Sequence, residues 1–174
     1  MSKKNKKYAL WCQFTKSDMD ILEKLQLMVN KKFEGPKFEI HLTLLGSLMI
    51  INNNIINQIT KQCKVIKQIK IIPSRYNISK KNFMSLFIEI KKTNDLLNLK
   101  NIFENLLKTQ SNKEFIPHIS LTYGYFNKND KMEYVAKLDQ LDAEFTLDRI
   151  CIVDVSSDVP SWKIVKTFFL QKSN

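Results

Sequence analysis

Two stretches of the chain, FEIHLTLLG at Phe38–Gly46 and FIPHISLTYG at Phe115–Gly124, follow the same pattern. In each, a Phe lies three residues before a His, a Thr or Ser lies two residues after it, and a Gly ends the stretch. The chain contains 2 histidines, His41 and His118, and each stretch holds one of them. Because residues i and i+2 of a strand face the same side, each stretch predicts a strand that presents an imidazole and a hydroxyl together.

The segments around these two strands alternate between extended and helical patterns. The strands that we predict are Tyr8–Phe14, Phe38–Leu45, Ile69–Ile78, Phe83–Ile90, Phe115–Tyr123, Phe145–Val155 and Trp162–Leu170. The helices that we predict run from an N-cap at Ser17 to Phe33, over Asn52–Lys64, over Asn94–Leu107 after Thr93, and near Asp130–Leu138. The polar SKKN at Ser79–Asn82 makes its two flanking strands a hairpin. This order predicts an α+β fold in one domain, residues 1–174, with antiparallel sheets and helices on the outer faces.

The charge of the chain suggests anionic partners without identifying one. The net charge is +11, but only Arg75 and Arg149 are arginine, and Lys, Asn and Ile are abundant while Gly and Pro are scarce. Such a composition is typical of AT-rich codon usage. A positive field nevertheless steers anions towards the surface, which weakly favours an anionic substrate.

Several classes of protein lack support in the sequence. The 3 cysteines are odd in number and far apart, which predicts reduced, buried thiols in a cytoplasmic protein. There is no long apolar run of membrane-spanning length and no glycine-rich phosphate loop. No cluster of His, Cys and carboxylates has the spacing of metal ligands, so we expect neither a metal nor another cofactor.

Two imidazoles and two hydroxyls in one cleft suit the attack of water on a cyclic phosphodiester. One neutral His takes a proton from water, the other, protonated, supplies a proton to the leaving oxygen, and the hydroxyls hold the phosphoryl oxygens. The alternative is that each His is a satisfied residue of the core. The matching flanks of the two histidines favour the catalytic interpretation.

These frames, HLTL at His41–Leu44 and HISL at His118–Leu121, resemble those of the two-histidine (2H) phosphoesterase superfamily. Within it, YALW at Tyr8–Trp11 and PHISLTYG at Pro117–Gly124 resemble the cyclic phosphodiesterase branch, which acts on ADP-ribose 1″,2″-cyclic phosphate and on nucleoside 2′,3′-cyclic phosphates. The resemblance extends from Tyr8 to the last strand and departs at Ile40, where a Pro often precedes the first His. It implies a LigT-like fold of two lobes related by a pseudo-twofold axis, with the active-site cleft between them.

The resemblance also implies roles for individual residues. His41 and His118 would be the catalytic pair, and the substrate would contact Thr43, Ser120, Tyr123 and Trp11. We favour His118 as the base and His41 as the acid, although superfamily members that cut other bonds exchange these roles. Of the remaining candidates, we assign Trp162 to the core and Arg75 with Tyr76 to a solvated hairpin, where the alternative is contact with a pyrophosphate or a base.

The predicted function is metal-independent hydrolysis of a small nucleotide with a five-membered cyclic phosphate, by a cytoplasmic monomer with no membrane partner. One alternative is the same chemistry on RNA ends, by a 2′,3′-cyclic phosphodiesterase, an end-joining enzyme or a trimming exonuclease, which the surplus of Lys favours. A second alternative is a binding module for RNA that performs no chemistry. Retention of both histidines and both hydroxyls argues against the second alternative.

Overall fold

In the computed structural model, which describes residues 6–48, 51–109 and 114–172, eight strands join in one sheet. The strands are β1 (Tyr8–Phe14), β2 (Leu42–Leu48), β3 (Ile69–Ile71), β4 (Pro73–Ile78), β5 (Leu86–Ile90), β6 (His118–Thr122), β7 (Phe145–Asp154) and β8 (Lys163–Phe169). Their order is β3-β7-β1-β2-β6-β5-β4, with β8 also paired to β7, and neighbouring strands are antiparallel. The α+β class and the antiparallel arrangement predicted from the sequence are confirmed.

Within the described ranges, four α-helices accompany the sheet: α1 (Lys16–Phe33), α2 (Asn53–Cys63), α3 (Asn94–Leu106) and α4 (Lys128–Val135). Each begins after a Thr or Asn whose side-chain oxygen accepts a backbone N–H of the first turn, at Thr15, Asn52, Thr93 and Asn127. Ser17 was the wrong prediction for the first cap, because it lies inside α1 and Thr15 accepts from the backbone N–H of Asp18.

The sheet consists of two halves that meet at a single residue pair. Strands β3, β7, β8, β1 and β2 form one half, and β6, β5 and β4 form the other. The halves join where Leu42 of β2 pairs with Ile119 of β6, and these are the residues that directly follow the two histidines. Helix α1 follows β1 but contacts β6, while α3 contacts β2, so the helices cross over the join. The two halves of this sheet, each with one His motif, are the two pseudo-twofold lobes expected from the sequence.

Alternation along β2 and β6 separates the core from the cleft. Leu42, Leu44, Ile119 and Leu121 are almost fully buried in the main hydrophobic core, which also contains the inner faces of the helices. The intervening residues therefore face the opposite side of the sheet, which the helices leave uncovered. Burial of the apolar positions thus fixes the register and directs the polar positions into the cleft.

Four predicted strands have clearly different boundaries in the structure. The segment Ile69–Ile78 is two strands, because β3 pairs with β7 in one half and β4 pairs with β5 in the other. Residues 38–41 precede β2 instead of forming its beginning, and residues 115–117 likewise precede β6. A short 3₁₀ helix at Asn82–Met84 replaces the start of the strand predicted at Phe83.

Two glycines provide a matched test of packing between the first helix and the His118 strand. A Cβ added at Gly35 would lie 2.2 Å from Thr122 Oγ1 and 2.8 Å from the Tyr123 carbonyl oxygen, whereas one at Gly46 would meet nothing within 4 Å. We expect Gly35→Ala to lower the free energy of unfolding by ~1–3 kcal/mol through overpacking. Gly46→Ala should change it by less than about 0.5 kcal/mol. Urea denaturation measures both, and equal stabilities of the two variants would contradict the close approach at Gly35.

Candidate active site

The pairing of β2 with β6 brings the two His motifs together. Since Leu42 pairs with Ile119, the antiparallel register places His41 opposite Ser120 and Thr43 opposite His118. A cavity of about 750 Å³ lies over this join, and its lining includes Trp11, His41, Thr43, His118 and Tyr123. This volume is in the range of sites that hold a nucleotide-sized ligand.

Both imidazoles are held in the same way by the backbone. Nδ1 of His41 lies 2.6 Å from the Glu39 carbonyl oxygen, and Nδ1 of His118 lies 2.8 Å from the Ile116 carbonyl oxygen. A carbonyl oxygen only accepts, so Nδ1 carries the proton and donates in each ring. Nε2 of each ring is therefore the nitrogen available for proton transfer. The carbonyl in each case belongs to the residue two positions earlier, which is a structural consequence of the shared sequence pattern.

Burial favours the neutral form of both imidazoles in the free protein. His41 is 5% exposed, and desolvation lowers its pKa from 6.5 to about 3, although the Glu39 carbonyl acts in the opposite direction. Burial also lowers the pKa of His118, where the Ile116 carbonyl again opposes the effect and the charge of Lys81 adds to it. A negatively charged ligand between the rings would reverse these shifts, because it favours the imidazolium form.

The two hydroxyls of the motifs differ in their surroundings. Thr43 is partly exposed and lines the cavity. Ser120 is 4% exposed, and its Oγ donates to the Phe83 carbonyl oxygen at 3.1 Å. Ser120 is also not among the residues that line the cavity, so it reaches a ligand as a donor only if this bond to Phe83 opens. The two motifs are thus alike in sequence, but the hydroxyl of Thr43 is available to a ligand and that of Ser120 is already bonded.

Aromatic rings form one wall of the cavity. The rings of Trp11 and His41 are stacked, with centroids 3.5 Å apart and planes 5° apart. Tyr123 is stacked on Phe38 at 3.8 Å. Since one face of Trp11 is covered by His41, this Trp supports the imidazole directly and is not free to stack a base on that face. The pKa of Tyr123 is raised by burial, so its phenol remains protonated.

Four aromatic residues in or behind this wall were not predicted as site residues: Phe38, Phe83, Trp162 and Tyr125, of which Tyr125 is largely exposed. Trp162, which we assigned to the core, is only partly buried and lines the cavity with Phe83, and their ring centroids are 5.6 Å apart. Phe38 underlies Tyr123. Phe38 belongs to the repeated pattern and was therefore detectable, whereas Phe83 and Trp162 reach the cleft from distant segments.

Lys131 is a further residue that the sequence did not single out. Its side chain is 3% exposed, and Nζ donates to the Ser79 carbonyl oxygen at 2.6 Å and to Ser85 Oγ at 3.2 Å. These bonds attach α4 to both ends of the segment that carries Lys81 and Phe83 into the cavity wall. Desolvation lowers the pKa of Lys131 from its ordinary value. Lys131 thus fixes the position of this segment.

Three further features of the described ranges concern cysteine reactivity, metal-binding groups and membrane-spanning helices. The three cysteines are buried and free. Among residues 6–48, 51–109 and 114–172, no group of three or more His, Cys, Asp or Glu side chains is placed to hold a metal ion. Within the same part of the chain, none of the helices has both the length and the apolar character needed to span a bilayer.

Comparisons with known proteins agree with this geometry. Residues 8–173 match the family model of cyclic phosphodiesterase-like proteins. A cyclic phosphodiesterase from Arabidopsis thaliana is 19% identical over 166 residues, which covers 91% of this chain and 92% of the relative. The crystal structure of Escherichia coli LigT complexed with 3′-AMP superposes with a TM-score of 0.63 at 12% identity, covering 96% of this chain and 99% of LigT. The crystal structure of TT0787 from Thermus thermophilus gives a TM-score of 0.58 at 14% identity, covering 97% of this chain and 100% of TT0787.

Proposed function

Because the chain belongs to the cyclic phosphodiesterase-like family, we propose that it is a phosphodiesterase that opens a five-membered cyclic phosphate of a nucleotide to a monoester. The observation that carries this proposal is the pair of histidines, one from each half of the sheet, that line a cavity of about 750 Å³ with Nδ1 of each bound to the backbone and Nε2 left available. The substrates are ADP-ribose 1″,2″-cyclic phosphate, nucleoside 2′,3′-cyclic phosphates, or both. The reaction uses water, and the chain's own imidazoles supply the acid and the base without a metal ion.

Two features favour His118 as the base and His41 as the acid, although burial lowers the pKa of His41 to about 3 and opposes its protonation until an anion is bound. Lys81 lies close enough to His118 to disfavour its protonated form, so Nε2 of His118 remains ready to accept a proton from water. His41 is stacked on Trp11, and the face of an indole attracts a cation. When the phosphate anion binds between the rings, its charge and the Glu39 carbonyl together stabilise the imidazolium of His41. Nε2 of His41 then donates its proton to the leaving oxygen.

The aromatic wall supports a small nucleotide as the substrate. Trp162 and Phe83 present partly exposed rings to the cavity, and such rings stack nucleobases regardless of sequence. Action on RNA ends is the second candidate, and the net charge of +11 favours it. The reduced thiols of the three buried cysteines support a cytoplasmic location.

Hydrolysis assays in the presence of EDTA test the proposal. We expect the purified protein to convert 2′,3′-cyclic UMP or ADP-ribose 1″,2″-cyclic phosphate to a phosphomonoester, at a rate that the chelator does not change. The six-membered 3′,5′-cyclic AMP serves as the control substrate and should remain intact. Absence of turnover with both five-membered substrates, or inhibition by EDTA that Mg²⁺ or Zn²⁺ restores, would contradict the proposed reaction.

A further inference from the structure

The half of the sheet that carries His118 presents charged side chains to the cleft. Arg75 of β4 pairs with Glu89 of β5, and Glu89 pairs with His118 of β6, so the three residues lie in one line across adjacent strands. Paired residues of neighbouring strands point to the same face. With strands about 4.8 Å apart, the Arg75 backbone lies about 10 Å from that of His118. This distance is short enough for one ribose to connect the two positions.

A second cavity of about 450 Å³ lies over these strands and adjoins the catalytic one. Its lining includes Arg75 and Glu89, and it shares Lys81 and Met84 with the catalytic cavity. The side chains around it carry four positive charges, at Arg75, Lys81, Lys91 and Lys92, and two negative charges, at Glu89 and Glu114. The cavity is therefore suited to an anion.

The geometry of Arg75 leaves its best phosphate donors available. Its Nε donates to Glu89 Oε2 at 3.0 Å, and Asn77 Nδ2 donates to the same oxygen at 3.0 Å. Glu89 thus holds the guanidinium through Nε, and the Arg75 side chain is 68% exposed, so its two terminal amino groups are accessible to a ligand. A guanidinium held in this way offers a bidentate site for phosphate. Arg75 is exposed, as predicted, but the sequence did not predict that Glu89 and Asn77 hold its guanidinium in place.

We propose that Arg75 and Lys81 bind a phosphate attached to the 5′ oxygen of the same ribose that carries the cyclic phosphate. This inference rests on the proposed function, since it requires the cyclic phosphate to lie between His41 and His118. The ribose then extends across β5 towards Arg75 of β4. The other half of the sheet presents Trp11, Trp162 and apolar side chains to the cleft, so the two halves divide the recognition of apolar and anionic groups.

Both substrate candidates contain such a phosphate. In ADP-ribose 1″,2″-cyclic phosphate the pyrophosphate is attached at the 5″ position of the cyclised ribose. At an RNA end with a 2′,3′-cyclic phosphate, the 5′ oxygen carries the phosphodiester to the preceding nucleotide. A 2′,3′-cyclic mononucleoside phosphate lacks the group entirely. The site therefore predicts that the enzyme prefers substrates with a phosphate at the 5′ oxygen, whether that phosphate belongs to ADP-ribose or to RNA.

Kinetics with matched substrates test the proposal. For the wild-type protein, we expect kcat/KM for uridine 2′,3′-cyclic phosphate to rise ~10–100-fold when a 5′-phosphate is added, as for hydrogen bonds to charged groups. Arg75→Gln should remove this preference and leave the rate on the substrate without a 5′-phosphate within ~2-fold. Lys70→Gln is the control, because Lys70 is an exposed cation paired with Glu144 and is not part of either cavity lining. It should retain the preference.

Two further arms separate the sources and the possible failures. ADP-ribose 1″,2″-cyclic phosphate and a dinucleotide with a 2′,3′-cyclic end show whether Arg75→Gln affects the pyrophosphate, the phosphodiester or both. Calorimetry of uridine 2′-phosphate against uridine 2′,5′-bisphosphate measures the same preference without turnover. Hydrolysis with no 5′-phosphate preference would overturn this inference and leave the proposed function intact. A binding preference that Arg75→Gln abolishes, without hydrolysis of any substrate, would support the anion site and overturn the proposed reaction.

Discussion

Replacement of either His41 or His118 by Asn is expected to lower kcat for hydrolysis of the cyclic phosphate by ~10²–10⁴-fold, the usual contribution of one positioned proton transfer. Asn is chosen because its side-chain amide can donate to the carbonyl that now accepts from Nδ1, at Glu39 or at Ile116. The substitution then removes Nε2 while retaining the local bond. Initial rates at saturating substrate, measured at pH 7, give the comparison.

Binding and the double variant separate catalysis from structural damage. Each Asn variant should bind the phosphomonoester product with an affinity within ~10-fold of the wild type, since most of the cavity remains. The double variant should be little slower than the slower of the two single variants, because the effects of removing groups that act in one step are not additive. A rate within 10-fold of the wild type in either single variant would show that its Nε2 does not transfer a proton in the rate-determining step.

The pattern of the His stretches predicts much of this site because it combines local chemistry with strand geometry. The pair of strands follows from the alternation of Leu42, Leu44, Ile119 and Leu121 with polar residues, and burial of these apolar side chains fixes the face on which the histidines lie. The tautomer of each His depends on a carbonyl two residues earlier, so it is also encoded locally.

The rest of the cleft depends on contacts between segments that are distant in the chain. Phe83 and Trp162 meet over the cavity although nearly half of the chain separates them, and no local pattern predicts that contact. The break between β3 and β4 has a similar origin, because each strand joins a different half of the sheet. Pro73, the first residue of β4, was the available signal, since a proline cannot donate within a continuous strand.

The unequal hydroxyls show a further limit of reasoning from a repeated motif. Thr43 and Ser120 occupy equivalent positions, but Ser120 Oγ donates to the Phe83 carbonyl, whereas no such bond of Thr43 is found among the described residues. That carbonyl belongs to the 3₁₀ helix Asn82–Met84, on the side of the cleft that also carries Lys81. The two motifs therefore provide the same reacting groups, while the segments that surround them make the two walls different.

The buried state of His41 also predicts how stability depends on pH. Its pKa is about 3 in the folded protein and 6.5 in the ordinary solvated state. Between these values the unfolded chain binds the additional proton, so the free energy of unfolding falls as the pH decreases. The contribution of neutral His41 is fully present above pH ~6.5. For this residue alone, the decrease between pH 7 and pH 5 is about 2 kcal/mol.

Urea denaturation of the wild type and of His41→Asn at pH 7 and pH 5 isolates this contribution. Carboxylates are present in both proteins and their effects cancel in the difference, and the coupling of His118 to His41 is the smallest of the effects on the His41 pKa. We expect the wild type to lose about 2 kcal/mol more than the variant over this interval. A saturating nucleotide phosphate should reduce the difference, because an anion next to the ring favours the imidazolium form in the folded state. Parallel pH dependence of the two proteins without ligand would mean that folded His41 already binds its proton at pH 5, and the acid would then be charged before the substrate arrives.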